Sequence, residues 1–425
     1  MTIIFVLYLL QKITLSIVAN PKYFDIMSTK ALVRRIVLGL FFLLSLPAFA
    51  RRTTILISCD GFRWDYPQYY DTPFLDRMAA EGVSGELVPS FPSKTFPNHY
   101  TLATGLRPEH HGIIANSFID RSTGARFSLG DPKTKFDARF YHGEPLWLTA
   151  QRQGLKTAVF YWPGSDVAVS GKYPDVWHMY NEKPHMTMAQ RVDSVMAYLT
   201  KKHAPDLIMA YFEEPDASGH GFGPQAKETR RAVERMDSIL GSLWKRIVKA
   251  KKAGEVNLVV VSDHGMTWFS PSRKIDPAKY LHKEWYTTLE GNLPCNIYAP
   301  EKWQQDSIVK ALSQVPHLRV WRKADIPQYL HYQADANIGD VLVLPDEGYL
   351  FDAGHPKAGG VHGYDPYYSD MHALFRAWGA DLKHAGLGQF SNTAVYPFVC
   401  HLLGIQPAKN DGDCDYEKIK GEAFK

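Results

Sequence analysis

Net charge is what this chain has least of: 48 Lys and Arg against 44 Asp and Glu leave a formal +4 over 425 residues. Its densest basic stretch, Lys245-Arg246 to Lys251-Lys252, reads as a solvated helix face rather than a phosphate track, so no stable nucleic-acid complex is expected. Cysteine is scarce too, with four in all: Cys59, Cys295, Cys400 and Cys414. Cys59 ends an apolar run and reads as a buried thiol. Cys400 and Cys414, close in sequence around a turn rich in Pro, Asn, Asp and Gly, are the candidate bridge. Repeats and low-complexity tracts are missing, and 45% hydrophobic with 22% charged residues exclude a disordered or collagen-like chain. Aromatic residues are abundant, with 10 Trp, 23 Tyr and 22 Phe, enough to line pockets as well as a core.

The run most like a targeting segment lies in residues 27–50. Lys30, Arg34 and Arg35 precede an apolar stretch from Ile36 to Leu46, and Ala48-Phe49-Ala50 follows as a small-x-small cleavage pattern. The apolar stretch is too short to span a bilayer comfortably. A cleaved signal peptide is expected, with Met27 as the start, residues 1–26 as an upstream extension, and export to the periplasm or medium without a membrane anchor. No cysteine follows the cleavage site, so a lipid anchor is not indicated.

Downstream, apolar runs alternate with amphipathic ones. Strands are expected at Thr53–Cys59, Lys156–Tyr161, Asp206–Phe212, Val256–Ser262 and Ala373–Ala377. Helices are expected after Thr72-Pro73, from Glu144-Pro145 to Gln153, from Met186 to about Lys202, from about Gln225 to Lys251, and near Thr393–Leu403. Repeated strand–helix–strand units predict an α/β fold whose parallel sheet is covered on both faces. Between Trp268 and Gly354 shorter strands, frequent Pro and a helix near Gln304–Ser313 suggest an inserted cap, which divides a catalytic core of residues 51–267 and 355–425.

Ligands gather where parallel strands end. The first strand is followed by Asp60-Gly61, a later one by Glu213-Glu214-Pro215-Asp216 and then His220, and a third by Asp263-His264-Gly265. Gly359-Gly360-Val361-His362-Gly363-Tyr364-Asp365 comes later. Carboxylates and imidazoles converging from several segments are the set that two divalent metals require, most simply zinc. Each alone could be a helix cap or a turn residue. Thr95, in a loop leading to the helix through Tyr100–Ala103, is the candidate nucleophile: a hydroxyl at a helix start sits in positive potential, and a metal would activate it. It would equally serve as an N-cap.

These strings, KTFPNHYTLATGLRPEHHGIIANSF with EEPDASGHGFGP, VVVSDHG and HGYD, resemble the nucleotide pyrophosphatase/phosphodiesterase family of the alkaline phosphatase superfamily. The likeness covers residues 53–408. It implies an alkaline-phosphatase-like mixed, mostly parallel sheet with helices on both faces and a small inserted cap at 268–354. It also implies one zinc on Asp216, His220 and His362, and a second on Asp60, Asp263, His264 and the Thr95 hydroxyl. Thr95 would attack phosphorus and Asn116 would donate its amide N–H to a phosphoryl oxygen. Two in-line displacements through a phosphothreonine would give net retention. His355 is a neighbour that could be mistaken for His362. Phe96 and Tyr180 would sandwich a nucleotide base, with Trp162 shaping the pocket wall. The implied reaction releases nucleoside 5′-monophosphates from nucleotide phosphodiesters or pyrophosphates. The alternative is a choline-headgroup or glycerophosphodiester hydrolase using the same site.

The resemblance also has limits. Pro366 follows HGYD where many relatives have Asn. Without the extra modules of large animal members, the chain resembles compact bacterial ones, and no protein partner is indicated. A sulfatase would need an Arg where Lys94 stands, and a phosphomonoesterase would need more positive charge than Asn116 supplies. A degenerate binding protein would lack at least one of the ligand positions filled here.

Overall fold

The computed structural model describes residues 52–354 and 357–425, so the signal segment and His355 lie outside the described residues. One eight-stranded sheet organises the chain. Its first strand, β1 (Thr53–Cys59), is buried along its whole length. Helix α1 (Pro73–Glu81) leads to strand β2 (Val83–Val88), then helix α2 (Thr95–Thr104) and helix α3 (Leu146–Arg152). Next come β3 (Thr157–Phe160), β4 (Val176–His178), α4 (Met188–Leu199), β5 (Leu207–Phe212), α5 (Asp216–Phe222), α6 (Lys227–Lys249) and β6 (Val256–Val261). Short β7 (Thr267–Phe269) leads into the 268–354 segment.

That segment contains a four-stranded antiparallel sheet of β8 (Thr288–Glu290), β9 (Cys295–Tyr298), β10 (Leu318–Arg322) and β11 (Val341–Pro345), with helix α7 (Lys302–Leu312) against it. It buries its own apolar cluster, including Ile297, Ile308, Leu312, Val341 and Val343. The chain then forms β12 (Gly359–Val361), which pairs with β7, and finally β13 (Ala373–Gly379), β14 (Ala385–Ser391), α8 (Val395–Leu403) and α9 (Asp413–Ala423).

The large sheet runs β14-β2-β13-β6-β1-β5-β3-β4. β13 runs against both of its neighbours, and every other adjacent pair is parallel, so the sheet is mixed but mostly parallel. Alternation along the central strands feeds two cores. Ile55, Ile57, Leu258 and Val260 face one cluster with Val233, Met236, Leu240 and Ile247 of α6. Leu56, Val259 and Val261 face the other, with residues of α2, α3 and α8. Strands buried on both faces need the continuous apolar runs that β1 and β6 carry.

Two sequence expectations are corrected, and three elements are added. α2 begins earlier than the Tyr100–Ala103 stretch: Lys94 is the capping residue and Thr95 is already in the first turn, so Thr95 is no N-cap. Cys400 and Cys414 are not bridged. Cys400 is buried within the apolar packing of α8, which pushes its thiol up to about 12, while Cys414 is exposed near the start of α9. β2, β14 and α9 escape the sequence pattern because they are half-exposed: β2 is interrupted by Gly85, and α9 buries only Ile419 and Ala423. Among the described residues no helix is long and apolar enough to cross a membrane.

Candidate active site

The sheet delivers its acidic and imidazole residues to one end. Asp60 directly follows β1, Asp216 opens α5 just after β5, Asp263 and His264 follow β6, and His362 follows β12. Gly61 makes their approach possible. It adopts φ +64°, and a Cβ there would lie 2.8 Å from that of Asp216.

Two overlapping clusters result. In one, His220 Nε2 lies 3.4 Å from Asp216 Oδ2, and His362 Nε2 lies 3.7 Å from Asp216 Oδ1. In the other, His264 Nε2 lies 3.5 Å from Asp60 Oδ1, 3.0 Å from Asp263 Oδ2 and 3.1 Å from the Thr95 hydroxyl. Asp216 reaches both clusters.

Their hydrogen bonds leave a specific set of lone pairs. Nδ1–H of His220, His264 and His362 donates to the carbonyls of Gly360, Gly265 and Ser93, each at 2.8 Å. In the neutral imidazole each Nε2 therefore presents a lone pair. The Nε2 atoms of His220 and His362 face each other at 3.1 Å with no proton to share, an arrangement that a cation between them would relieve. Asp60 Oδ1, Asp216 Oδ1 and Asp263 Oδ2 are buried carboxylate oxygens without a hydrogen-bond donor. Orphaned oxygens and opposed imidazoles fit a pair of divalent ions with nitrogen and oxygen ligands.

Electrostatics agree. Burial, with Asp263 and Asp216 adding repulsion, holds the Asp60 carboxyl well above its usual range, and burial also raises Asp216. Burial alone would raise Asp263, but His264 and His99 outweigh it and hold it well below. Burial, with His264 and Lys94 nearby, keeps His362 neutral. Two raised carboxyls beside a depressed one are what a concentrated ligand set produces when no cation balances it.

The loop before α2 is pinned by Asn98, which accepts from Ser90 N–H (2.8 Å) and donates to Pro92 O (2.9 Å). Phe96 N–H reaches Asn116 Oδ1 at 3.4 Å, which aims that amide at the start of α2 with its NH2 as the remaining donor. Phe96 and Tyr180, the expected base-stacking pair, line one cavity of about 380 Å³ with Thr95, Trp162 and Tyr211. A buried Lys135–Asp166 ion pair, 2.8 Å, forms part of its wall.

The structure adds residues that the sequence patterns did not single out. His99 Nδ1–H donates to Thr95 O at 2.8 Å and lies 3.3 Å from Asp263, while its Nε2 accepts from Ser58 (2.8 Å). His99 thus ties the first turn of α2 to a carboxylate of the cluster. Its spacing from Thr95, one helical turn, was the available signal. Tyr211 donates to Asp60 Oδ2 at 2.6 Å, leaving Oδ1 free. Arg63 crosslinks three segments: it grips Asp65 through two bonds (2.8 and 2.7 Å), donates to Met266 O (2.8 Å) and pairs with Asp370 (2.8 Å). It thereby fixes the Asp60 loop against the Asp263-His264 loop. Arg63→Lys cannot reproduce that planar fork. The variant's affinity for a divalent metal ion, measured by competition with a chromogenic chelator, is expected to fall about 10–100-fold.

A model of the type I phosphodiesterase/nucleotide pyrophosphatase family matches residues 54–365. The chain belongs to that family. Human ectonucleotide pyrophosphatase/phosphodiesterase family member 5 is 35% identical over 368 residues, 85% of this chain and 76% of its own length. Bovine family member 3 is 35% identical over 378 residues, and a venom phosphodiesterase of Macrovipera lebetinus is 34% identical over 384. The chain spans less than half of the length of these two, 43% and 44%. The solved structure of human member 5 superposes with a TM-score of 0.82 at 33% identity, covering 88% of this chain and all of that one. An inactive threonine-to-alanine variant of the murine protein, in complex with AMP, aligns with the same TM-score of 0.82. The mostly parallel sheet with helices on both faces is this family's alkaline-phosphatase-like fold.

Proposed function

We propose that this chain cleaves phosphodiester or pyrophosphate bonds in nucleotides and releases nucleoside 5′-monophosphates through a phosphothreonine formed on Thr95. Zinc is the cofactor of this proposal, one ion on Asp216, His220 and His362 and one on Asp60, Asp263, His264 and Thr95. The observation that carries the reading is the Thr95 hydroxyl at 3.1 Å from His264 Nε2, within a cluster of orphaned carboxylate oxygens and beside an aromatic cavity. When bound, the ions supply charge neutralisation at phosphorus and a lowered hydroxyl pKa.

The protein's own part follows from placement. Thr95 Oγ1 is the attacking atom, held by the rigid first turn of α2, whose N–H groups point at incoming negative charge. Asn116 NH2 takes a non-bridging oxygen, which suits a singly charged diester. Phe96 and Tyr180 hold the base by stacking, a mode that tolerates every base. Water then cleaves the phosphothreonine, and two in-line displacements retain configuration at phosphorus. AMP in the murine relative supports a nucleotide. The cavity wall supports it over choline: Lys135 already neutralises Asp166, where a quaternary ammonium would need a free carboxylate. Export is part of the same proposal, resting on the residue 27–50 pattern and on the ecto- and venom enzymes among the relatives.

Initial rates on p-nitrophenyl thymidine 5′-monophosphate, p-nitrophenyl phosphate and p-nitrophenyl phosphorylcholine test the proposal. The nucleotide diester is expected to be fastest; preference for either other ester overturns the substrate. Phe96→Ala and Tyr180→Ala are each expected to raise KM for the nucleotide about tenfold with little change in kcat.

A further inference from the structure

Tyr180 rests against two other rings of the aromatic cavity, Tyr161 at 5.7 Å and Tyr211 at 5.8 Å, both steeply tilted to it. Tyr211 is fixed by its place in β5, where it pairs with Ser58 of β1. Tyr161 lies just beyond β3 and adopts φ +64°, a left-handed conformation that costs a residue with a Cβ. Such a residue keeps its place only where its surroundings hold it. Its N–H donates to His178 O (2.9 Å) at the end of the edge strand β4. Its hydroxyl accepts from Met186 N–H (2.7 Å) and donates to Glu182 (3.1 Å), and His185 stacks on its ring at 4.9 Å. All four partners belong to β4 and the segment after it, the same segment that carries Tyr180.

Arg191 supplies a link from Tyr161 to the centre of the sheet. It lies in α4 and is fully buried. Nη1 donates to Tyr211 O at 2.7 Å, and the guanidinium grips Glu213 at 2.9 and 2.6 Å. Both partners are on β5 or directly after it. Anchored there, the guanidinium lies over the rings of Tyr161 and Phe212, at 5.1 and 4.9 Å. Its Nε–H has no acceptor. A buried cation with an orphaned donor gains little stability, because desolvation offsets its ion pair. A rigid plane forked onto one strand and laid over a ring is well suited to fixing that ring. We infer that Arg191 is a positioning residue for the nucleobase: it ties Tyr161 to β5 and, through Tyr161, holds Tyr180 where it stacks on the base. The inference rests on the stacking role proposed above for Tyr180.

Two substrates with the same nitrophenolate leaving group isolate the effect: p-nitrophenyl thymidine 5′-monophosphate, and methyl p-nitrophenyl phosphate, which has no base. Lysine keeps the charge beside Glu213 but loses both the fork and the plane. Arg191→Lys is therefore expected to raise KM for the nucleotide about tenfold with kcat within about threefold, and to leave kcat/KM for the methyl ester within about threefold. Combined with Tyr180→Ala, it is expected to give the KM of Tyr180→Ala alone, because both changes remove one interaction. Equal losses on the two esters, an unchanged KM, or losses that multiply in the double variant overturn the inference. Melting temperature identifies a variant that has lost its fold, in which case Arg191→Met combined with Glu213→Gln, which leaves no unpaired charge, supplies the same comparison. Tyr180→Ala without effect on KM refutes the stacking proposal instead.

Discussion

Thr95→Ala is expected to lower turnover of a nucleotide phosphodiester at least about 10³-fold while AMP still binds and zinc is retained. The structure separates chemistry from folding at this position. The α2 cap is Lys94, which makes no side-chain capping bond, so removing the Thr95 hydroxyl costs the helix no cap. The hydroxyl's hydrogen bond runs to His264 Nε2, and His264 keeps its bond to Gly265 and its contact with Asp263. His99 holds the residue through its backbone carbonyl, which alanine preserves. The melting temperature is therefore expected to stay within a few degrees. Steady-state rates, AMP titration calorimetry and zinc analysis on one preparation check all three statements. Activity within tenfold of wild type would remove Thr95 from the reaction. Thr95→Ser keeps an oxygen at the same atom position and is expected to retain measurable turnover.

The residues at strand ends were legible in the sequence because two physical constraints coincide there. β1, β5 and β6 must be continuous apolar runs to be buried on both faces, and the polar residue that ends each run marks where the sheet meets solvent. Asp60, Asp216, Asp263 and His264 are read in this way, and the structure brings them together with His220, His362 and Thr95. The supporting residues were less legible. Tyr211 belongs to an apolar strand, and only its phenol's reach to Asp60 distinguishes it from a core aromatic. Arg63 resembles any surface arginine until three separate segments fold around it. Proximity in sequence also misled: Cys400 and Cys414 lie near each other along the chain, yet one is buried in α8 and the other exposed on α9. Local patterns thus revealed groups that must sit at element ends, while groups acting across segments became visible only with the fold.

Removing the metal is expected to abolish hydrolysis and to lower the melting temperature, more strongly as pH rises. Binding to the native state alone stabilises by about 2.7 kcal/mol at a hundredfold excess over Kd, so a loss on the order of 5 °C is expected near neutral pH. The pH dependence follows from the stripped site. Asp60 and Asp216 have carboxyls raised by burial, and His264 is also raised because Asp263 outweighs the effect of its burial. A group raised in the folded state stabilises fully below its unfolded value, and that contribution is lost as pH climbs through the folded value. These protons stabilise the stripped protein fully below about pH 4 for the carboxyls and below about pH 6.5 for His264, and that stability is lost progressively as pH rises above those values. In the loaded protein the same atoms must be unprotonated to bind metal, so acid works against it. His362, already neutral, adds nothing to the difference at neutral pH. Melting curves of loaded and chelator-stripped protein from pH 5 to 9 should therefore diverge as pH rises, and zinc should close the gap and restore turnover. His264→Ala removes the imidazole shared by Thr95, Asp60 and Asp263, and zinc should restore neither property in that variant. A gap that stays constant across this range, or turnover that survives stripping, would mean that the clustered carboxylates and imidazoles do not hold the metal.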